Sequence, residues 1–183
     1  MPILGTVASQ FAGKPFGSFD LISTAQGNGS SPVITFSDLN LLTEYKHLQI
    51  RTVMEQNVTT DWRGVYMRFN SDSGTNYWWN QLYNSNDTFG KAMSNQNFAI
   101  CGNASGTQYR PGVSIIDIID FSDNAKYKTI LANEANIRYT TPRYIGWSST
   151  QWRNTNAITS ISFTVNADNF TTATLISLYG IKG

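Results

Sequence analysis

The chain has one cysteine, Cys101, and one histidine, His47. A single cysteine excludes an intrachain disulfide. A single histidine excludes a His-rich metal site and leaves a nucleophilic triad only this one residue to be built on. Charge is also scarce: Asp, Glu, Lys and Arg make up 14% of 183 residues, and the formal net charge is +1. The 13 Lys and Arg are spread singly, so no basic stripe marks a nucleic-acid partner and no field draws the chain to an acidic lipid surface. No apolar run approaches the ~18 residues of a membrane-spanning helix. The opening MPILGTVASQFAGK has no basic region ahead of an apolar core, so it does not read as a secretory signal. Glutamate occurs only 3 times, which argues against exposed helix faces.

What is abundant points the other way. There are 20 Thr, 18 Ser and 18 Asn, and aromatics make up 13%. Strand surfaces and turns favour these residues. Short apolar or alternating runs recur from Ser18 onward: Phe19–Ile22, Val33–Phe36, His47–Met54, Trp62–Phe69, Tyr77–Tyr83, Phe98–Cys101, Gly112–Phe121, Lys126–Ala132, Arg143–Trp147, Ile161–Val165 and Leu175–Ile181. About ten short strands with no long amphipathic helix read as an all-β fold, an antiparallel β-sandwich of jelly-roll type. A short helical turn is expected within Asp38–Tyr45, where Leu39, Leu41 and Leu42 do not alternate. Gly112–Phe121 is apolar on both faces and reads as a central strand. The stretch 84–97 reads as a polar loop, and Gly102–Pro111 as a Gly-rich turn. Leu175–Ile181 is expected to be paired in a sheet, since unpaired backbone there would be costly.

Residues 1–17 read as an N-terminal docking arm ahead of a single domain, 18–183. Gly5, Gly13, Pro15 and Gly17 punctuate the arm, and Ile3, Leu4, Phe11 and Phe16 are its apolar anchors. The aromatic run Tyr77-Trp78-Trp79 is the other candidate interface, because large aromatics anchor subunit contacts. No catalytic site is legible. His47 reads as structural. Asp117 and Asp120 fall on opposite strand faces and do not converge. Asn70–Asn76 has the oxygen-rich, Gly-centred look of a calcium loop but lacks the alternating Asp pattern and the distal Glu, so it reads as a turn. No metal and no cofactor are expected.

The C-terminal stretch carries a specific likeness. Trp152, Ala157-Ile158, Ser160-Ile161, Asn169-Phe170 and the terminal Leu178-Tyr179-Gly180-Ile181-Lys182-Gly183 stand in the order Trp, "AI-SI", "NF", "LYGIKG". Further pieces are Ile34-Thr35-Phe36-Ser37, Tyr45-Lys46-His47-Leu48-Gln49-Ile50-Arg51, Arg68-Phe69-Asn70 with Asp72, Gly74 and Asn76-Tyr77, and Ile116–Phe121 followed by Lys126, Lys128 and Thr129. Together they resemble a family of small virion structural proteins of tailed bacteriophages. The family's usual histidine near Trp79 or Asn80 is absent. The resemblance implies a non-enzymatic β-sandwich assembled into the virion in the host bacterial cytoplasm. Its most direct reading is a capsid decoration (cement) protein, homotrimeric, whose partners are its own copies and the major capsid protein or other virion proteins. The alternative is a tail fibre or other tail-associated receptor-binding module. No nucleic-acid or membrane partner is implied.

Overall fold

A computed structural model describes residues 18–59, 62–84, 88–108, 111–136 and 144–183. The expected arm, 1–17, with Ile3, Leu4, Phe11 and Phe16, lies outside the described residues. Within them the chain forms twelve strands and one turn of 3-10 helix, Leu39–Leu41, where the short helical turn is expected. The strands are β1 (Phe19–Gln26), β2 (Val33–Phe36), β3 (His47–Gln56), β4 (Trp62–Phe69), β5 (Tyr77–Asn84) and β6 (Thr88–Gln96). They continue as β7 (Ala99–Gly106), β8 (Gly112–Ile119), β9 (Lys128–Asn136), β10 (Tyr144–Trp152), β11 (Ile161–Val165) and β12 (Leu175–Ile181).

Two antiparallel sheets pack as a sandwich, as the strand pattern implies. The larger runs β1–β12–β3–β8–β9–β10–β5–β6 and the smaller β2–β11–β4–β7. They share a seam: β7 lies parallel to the end of β3, with Glu55 and Gln56 opposite Ser105 and Gly106. β12 sits between β1 and β3 and is paired on both sides, as its apolar run requires. β8 is central, between β3 and β9.

Period-two alternation builds the core. Leu48, Ile50 and Met54 of β3, with Ile116 and Ile118 of β8, face Val65, Met67 and Phe69 of β4 and Phe163 of β11; all are buried. Burying each such side chain contributes on the order of 2 kcal/mol. Phe69, Tyr77 and Trp152 stack at the centre, with ring centroids 5.4–6.4 Å apart. The buried Tyr77 hydroxyl accepts from the Phe69 amide at 3.0 Å and donates to the Asp72 carbonyl at 3.3 Å.

Two segments differ from their sequence reading. Within 84–97, where a loop is expected, Thr88–Gln96 forms β6, an edge strand paired with β5. The turn expected at Gly102–Pro111 is strand as far as Gly106, because β4 and β3 pair with it. Both carry small or polar residues without alternation, so their backbone pairing leaves no mark in the pattern.

Candidate functional site

β9 points Lys128, Ile130, Ala132, Glu134 and Asn136 inward, one every second residue. Ile130 and Ala132 join the apolar core. At Glu134 a cleft of about 620 Å³ opens between the β4–β7 edge of the smaller sheet and the inner face of β9, β10 and β5. The Glu134 carboxylate lies at its floor, 4% exposed. Its Oε1 accepts from the Tyr144 hydroxyl at 3.1 Å and from Gln81 Nε2 at 2.8 Å. Its Oε2 accepts from Asn103 Nδ2 at 2.9 Å. The pairing register sets Gly146 opposite Glu134. A Cβ at Gly146 would stand 3.0 Å from Glu134 Oε1 and 3.1 Å from the Tyr144 hydroxyl, so glycine leaves the room this cluster occupies.

Burial pushes the Glu134 carboxyl up to about 7, and the donors from Tyr144, Gln81 and Asn103 only partly offset it. Burial, and then the Glu134 charge, raise the Tyr144 phenol. Near neutral pH this is therefore a carboxyl poised between neutral and charged forms in a dry setting.

Aromatic rings form the walls. Tyr144 stacks with Trp62 at 6.4 Å and with Tyr83 at 5.6 Å, and Tyr66 stacks with Phe98 at 4.0 Å. Lys91 Nζ lies 5.6 Å over the Trp79 ring. Trp79 lines the cleft and is 4% exposed, and its Nε1–H has no acceptor among the described residues. Arg63 at the rim pairs with Asp168 at 3.3 Å. Among the described residues lining the cleft, Glu134 is the one carboxylate. A glycosidase needs two flanking carboxyls, and the described lining residues hold no acid–base pair of that kind.

The opposite face of the larger sheet has a different character. Leu175, Val53, Val113, Ala135 and Ile145 follow one another across β12, β3, β8, β9 and β10. One pleat along, the next row runs Arg51, Ile115, Asn133, Trp147 and Leu82. Apart from the half-buried Ala135 these side chains are exposed, Ile145 at 48% and Trp147 at 52%. The apolar character of both faces of β8 therefore reflects one buried face and one solvent-facing apolar face.

The three candidate interface aromatics separate. Tyr77 is in the core and Trp79 in the cleft, while Trp78 is exposed, with the Arg153 guanidinium 4.2 Å above its ring. The His47 ring accepts from the Asp120 amide at 2.9 Å through Nδ1, a turn-closing role. Asp117 accepts from Gln49 at 2.8 Å, and Lys126 lies 3.7 Å from Asp120 and 3.3 Å from Asp123. In the oxygen-rich turn, Asp72 accepts from Trp152 Nε1 at 2.7 Å, Asn76 at 2.8 Å and the Gly74 amide at 2.8 Å. Burial raises this carboxyl, but those three donors together hold it below its ordinary value. Its oxygens are committed within the turn, and no group of three or more His, Cys, Asp or Glu suited to a metal occurs among the described residues. Cys101 is buried, donating to the Val65 carbonyl at 3.0 Å.

Glu134 itself escapes sequence reading because the apolar run ends at Ala132. The available signal is that the inward positions continue in steps of two through Glu134 to Asn136.

No protein-family model matches the chain, and no curated protein matches it. Among solved structures, a non-specific endo-β-1,3(4)-glucanase of family GH16 is similar at 7% identity and a TM-score of 0.26, over 90% of this chain and 92% of that one. A human SPRY domain is similar at 9% identity and a TM-score of 0.20, over 86% of this chain and 96% of that one. Likenesses this slight carry no argument about function.

Proposed function

We propose that the chain is a non-enzymatic structural component of a tailed-phage virion, a capsid decoration protein held in place through the outer face of its larger sheet. The observation that carries this reading is the apolar row Leu175–Val53–Val113–Ile145 with Ile115, Trp147 and Leu82 beside it. Contiguous exposed apolar surface of this kind marks a protein contact. Its occupant in this reading is a second copy of the chain, in a homotrimer. The near-zero net charge sets no long-range repulsion against self-association. The C-terminal resemblance supplies the virion context, and a lining with one carboxylate among the described residues fits a mechanical role.

Light scattering of the isolated protein tests the contact. Trimers are expected for the wild type and monomers for the double variant Ile145→Lys, Trp147→Lys. A wild-type monomer counts against it. Mass spectrometry of purified particles tests the location: many copies per shell fit decoration. The aromatic cleft favours a second reading, a tail-associated receptor-binding module, for which a few copies per particle are expected.

A further inference from the structure

We propose that the cleft between the β4–β7 edge and the inner face of β9, β10 and β5 is a saccharide-binding site that binds without hydrolysing. This goes beyond the structural role and rests on a different face of the molecule. The cleft's volume of about 620 Å³ falls within the range of ligand sites, which combine apolar walls with a few placed polar groups. Its walls are rings: Trp62, Tyr66, Trp79, Tyr83, Phe98 and Tyr144. Aromatic faces stack against the C–H faces of pyranose rings, whereas a charged ligand would require a concentrated opposite charge. Here Lys91 and Arg63 are balanced by Glu134 and by Asp168, to which Arg63 is paired.

The polar groups suit hydroxyls. Gln81, Asn103, Tyr144 and Glu134 form one connected network at the floor, offering both donors and acceptors. The Trp79 Nε1–H is the independent observation. It is shielded from solvent and has no acceptor among the described residues, a cost of ~1–3 kcal/mol that a ligand oxygen would relieve once a small shift of the Trp79 ring turns the N–H into the cleft. Glu134 is the one carboxylate among the described lining residues, which accounts for binding without cleavage: protonating a glycosidic oxygen without a second carboxyl leaves no base or nucleophile for the other side of the ring.

The test uses the full chain and four trisaccharides that differ in linkage or in sugar unit: cellotriose, maltotriose, laminaritriose and triacetylchitotriose. Trp62 and Trp79 lie in the cleft, so their fluorescence reports occupancy. Saturable quenching by at least one sugar is expected, with no release of reducing ends. Trp79→Phe keeps a ring but removes the donor and should weaken binding about tenfold. Tyr66→Ala should weaken it through lost stacking. Leu41→Ala, an exposed position in the 3-10 turn outside both the cleft and the outer apolar face, should bind as wild type, with circular dichroism confirming that each variant is folded. The proposal is overturned by the absence of a saturable response to any of the four up to about 10 mM. It is equally overturned if both cleft variants bind as wild type, or if reducing ends are released. None of these outcomes bears on trimerisation through the outer face.

Discussion

Replacing Glu134 by Gln should remove a pH-dependent loss of stability that the wild type suffers as pH rises from 4.5 to 8. In the folded chain burial lifts this carboxyl from its ordinary 4.5 to about 7. A group whose folded value is raised binds more protons when folded than when unfolded, so its contribution to stability is fully present below pH 4.5 and is lost as pH rises through 7. At ~1.4 kcal/mol per pH unit, the gap amounts to about 3 kcal/mol. Glutamine does not titrate. It can keep its amide oxygen toward Tyr144 and Gln81, and a half-turn of the Asn103 amide presents an oxygen to its NH₂. The variant should therefore gain about 3 kcal/mol on the wild type between pH 4.5 and pH 8. For a chain of this size that corresponds to roughly 6–12 °C in midpoint temperature. The assay is urea unfolding of both proteins at several pH values; comparing the two cancels every other titrating group they share. If the stability difference stays constant within ~0.5 kcal/mol across that interval, Glu134 is not the dry, part-neutral carboxyl described here, and the reasoning fails.

Three further outcomes follow from particular contacts. Gly180→Ala would set a Cβ 2.4 Å from Tyr45 Cγ, against ring atoms that cannot yield cheaply; a loss of about 2 kcal/mol is expected, read as a midpoint drop of about 4–8 °C. Lys128 is fully buried, and its ammonium donates to the carbonyls of Asp123, Lys126 and Thr155. Lys128→Ala strands those carbonyls and should cost roughly 3 kcal/mol or more by chemical denaturation, whereas a loss under ~1 kcal/mol would show the cluster to be rehydrated at little cost. Adding a calcium chelator should leave the midpoint within about 2 °C, because the Asp72 oxygens are already engaged; a larger fall would restore the calcium reading of Asn70–Asn76.

Much of the sandwich was legible because its central strands announce themselves. β3, β8, β11 and β12 alternate or run apolar, and each lies where burial of at least one face demands it. β6 was not legible: Lys91, Ala92, Ser94 and Asn95 are all exposed, and an edge strand held by backbone pairing to β5 leaves no periodic trace. β7 hid for the opposite reason. Gly102, Asn103, Ala104 and Ser105 are small or polar yet buried, because they pass beneath β9 and β8 where the core is polar. The cleft was invisible for a related cause. Its floor joins Gln81, Asn103, Glu134 and Tyr144 from four strands, and no local spacing brings together residues related only by sheet order. The exposed apolar face was half legible. The two-sided apolar character of β8 marked it, but only the strand order shows Val53, Val113 and Ile145 to be neighbours.

The position of β12 has a consequence for how the molecule is made. It is the last of the twelve strands to leave the ribosome, yet it lies between β1 and β3, near the first. Thr24 and Ser177, 153 residues apart, meet at 2.9 Å between hydroxyls. Until residues 175–181 emerge, β1 lacks its partner β12 and β3 carries an open edge, so the larger sheet cannot zip from one end during synthesis. Long-range pairing of this kind is slow, and an uncovered edge recruits other chains in the interval. Nascent molecules crowded on one message would thus carry β3 open throughout the synthesis of β4 to β11. Chaperone demand should be highest just before β12 is delivered, and removing β12 should yield aggregates rather than a weakened monomer.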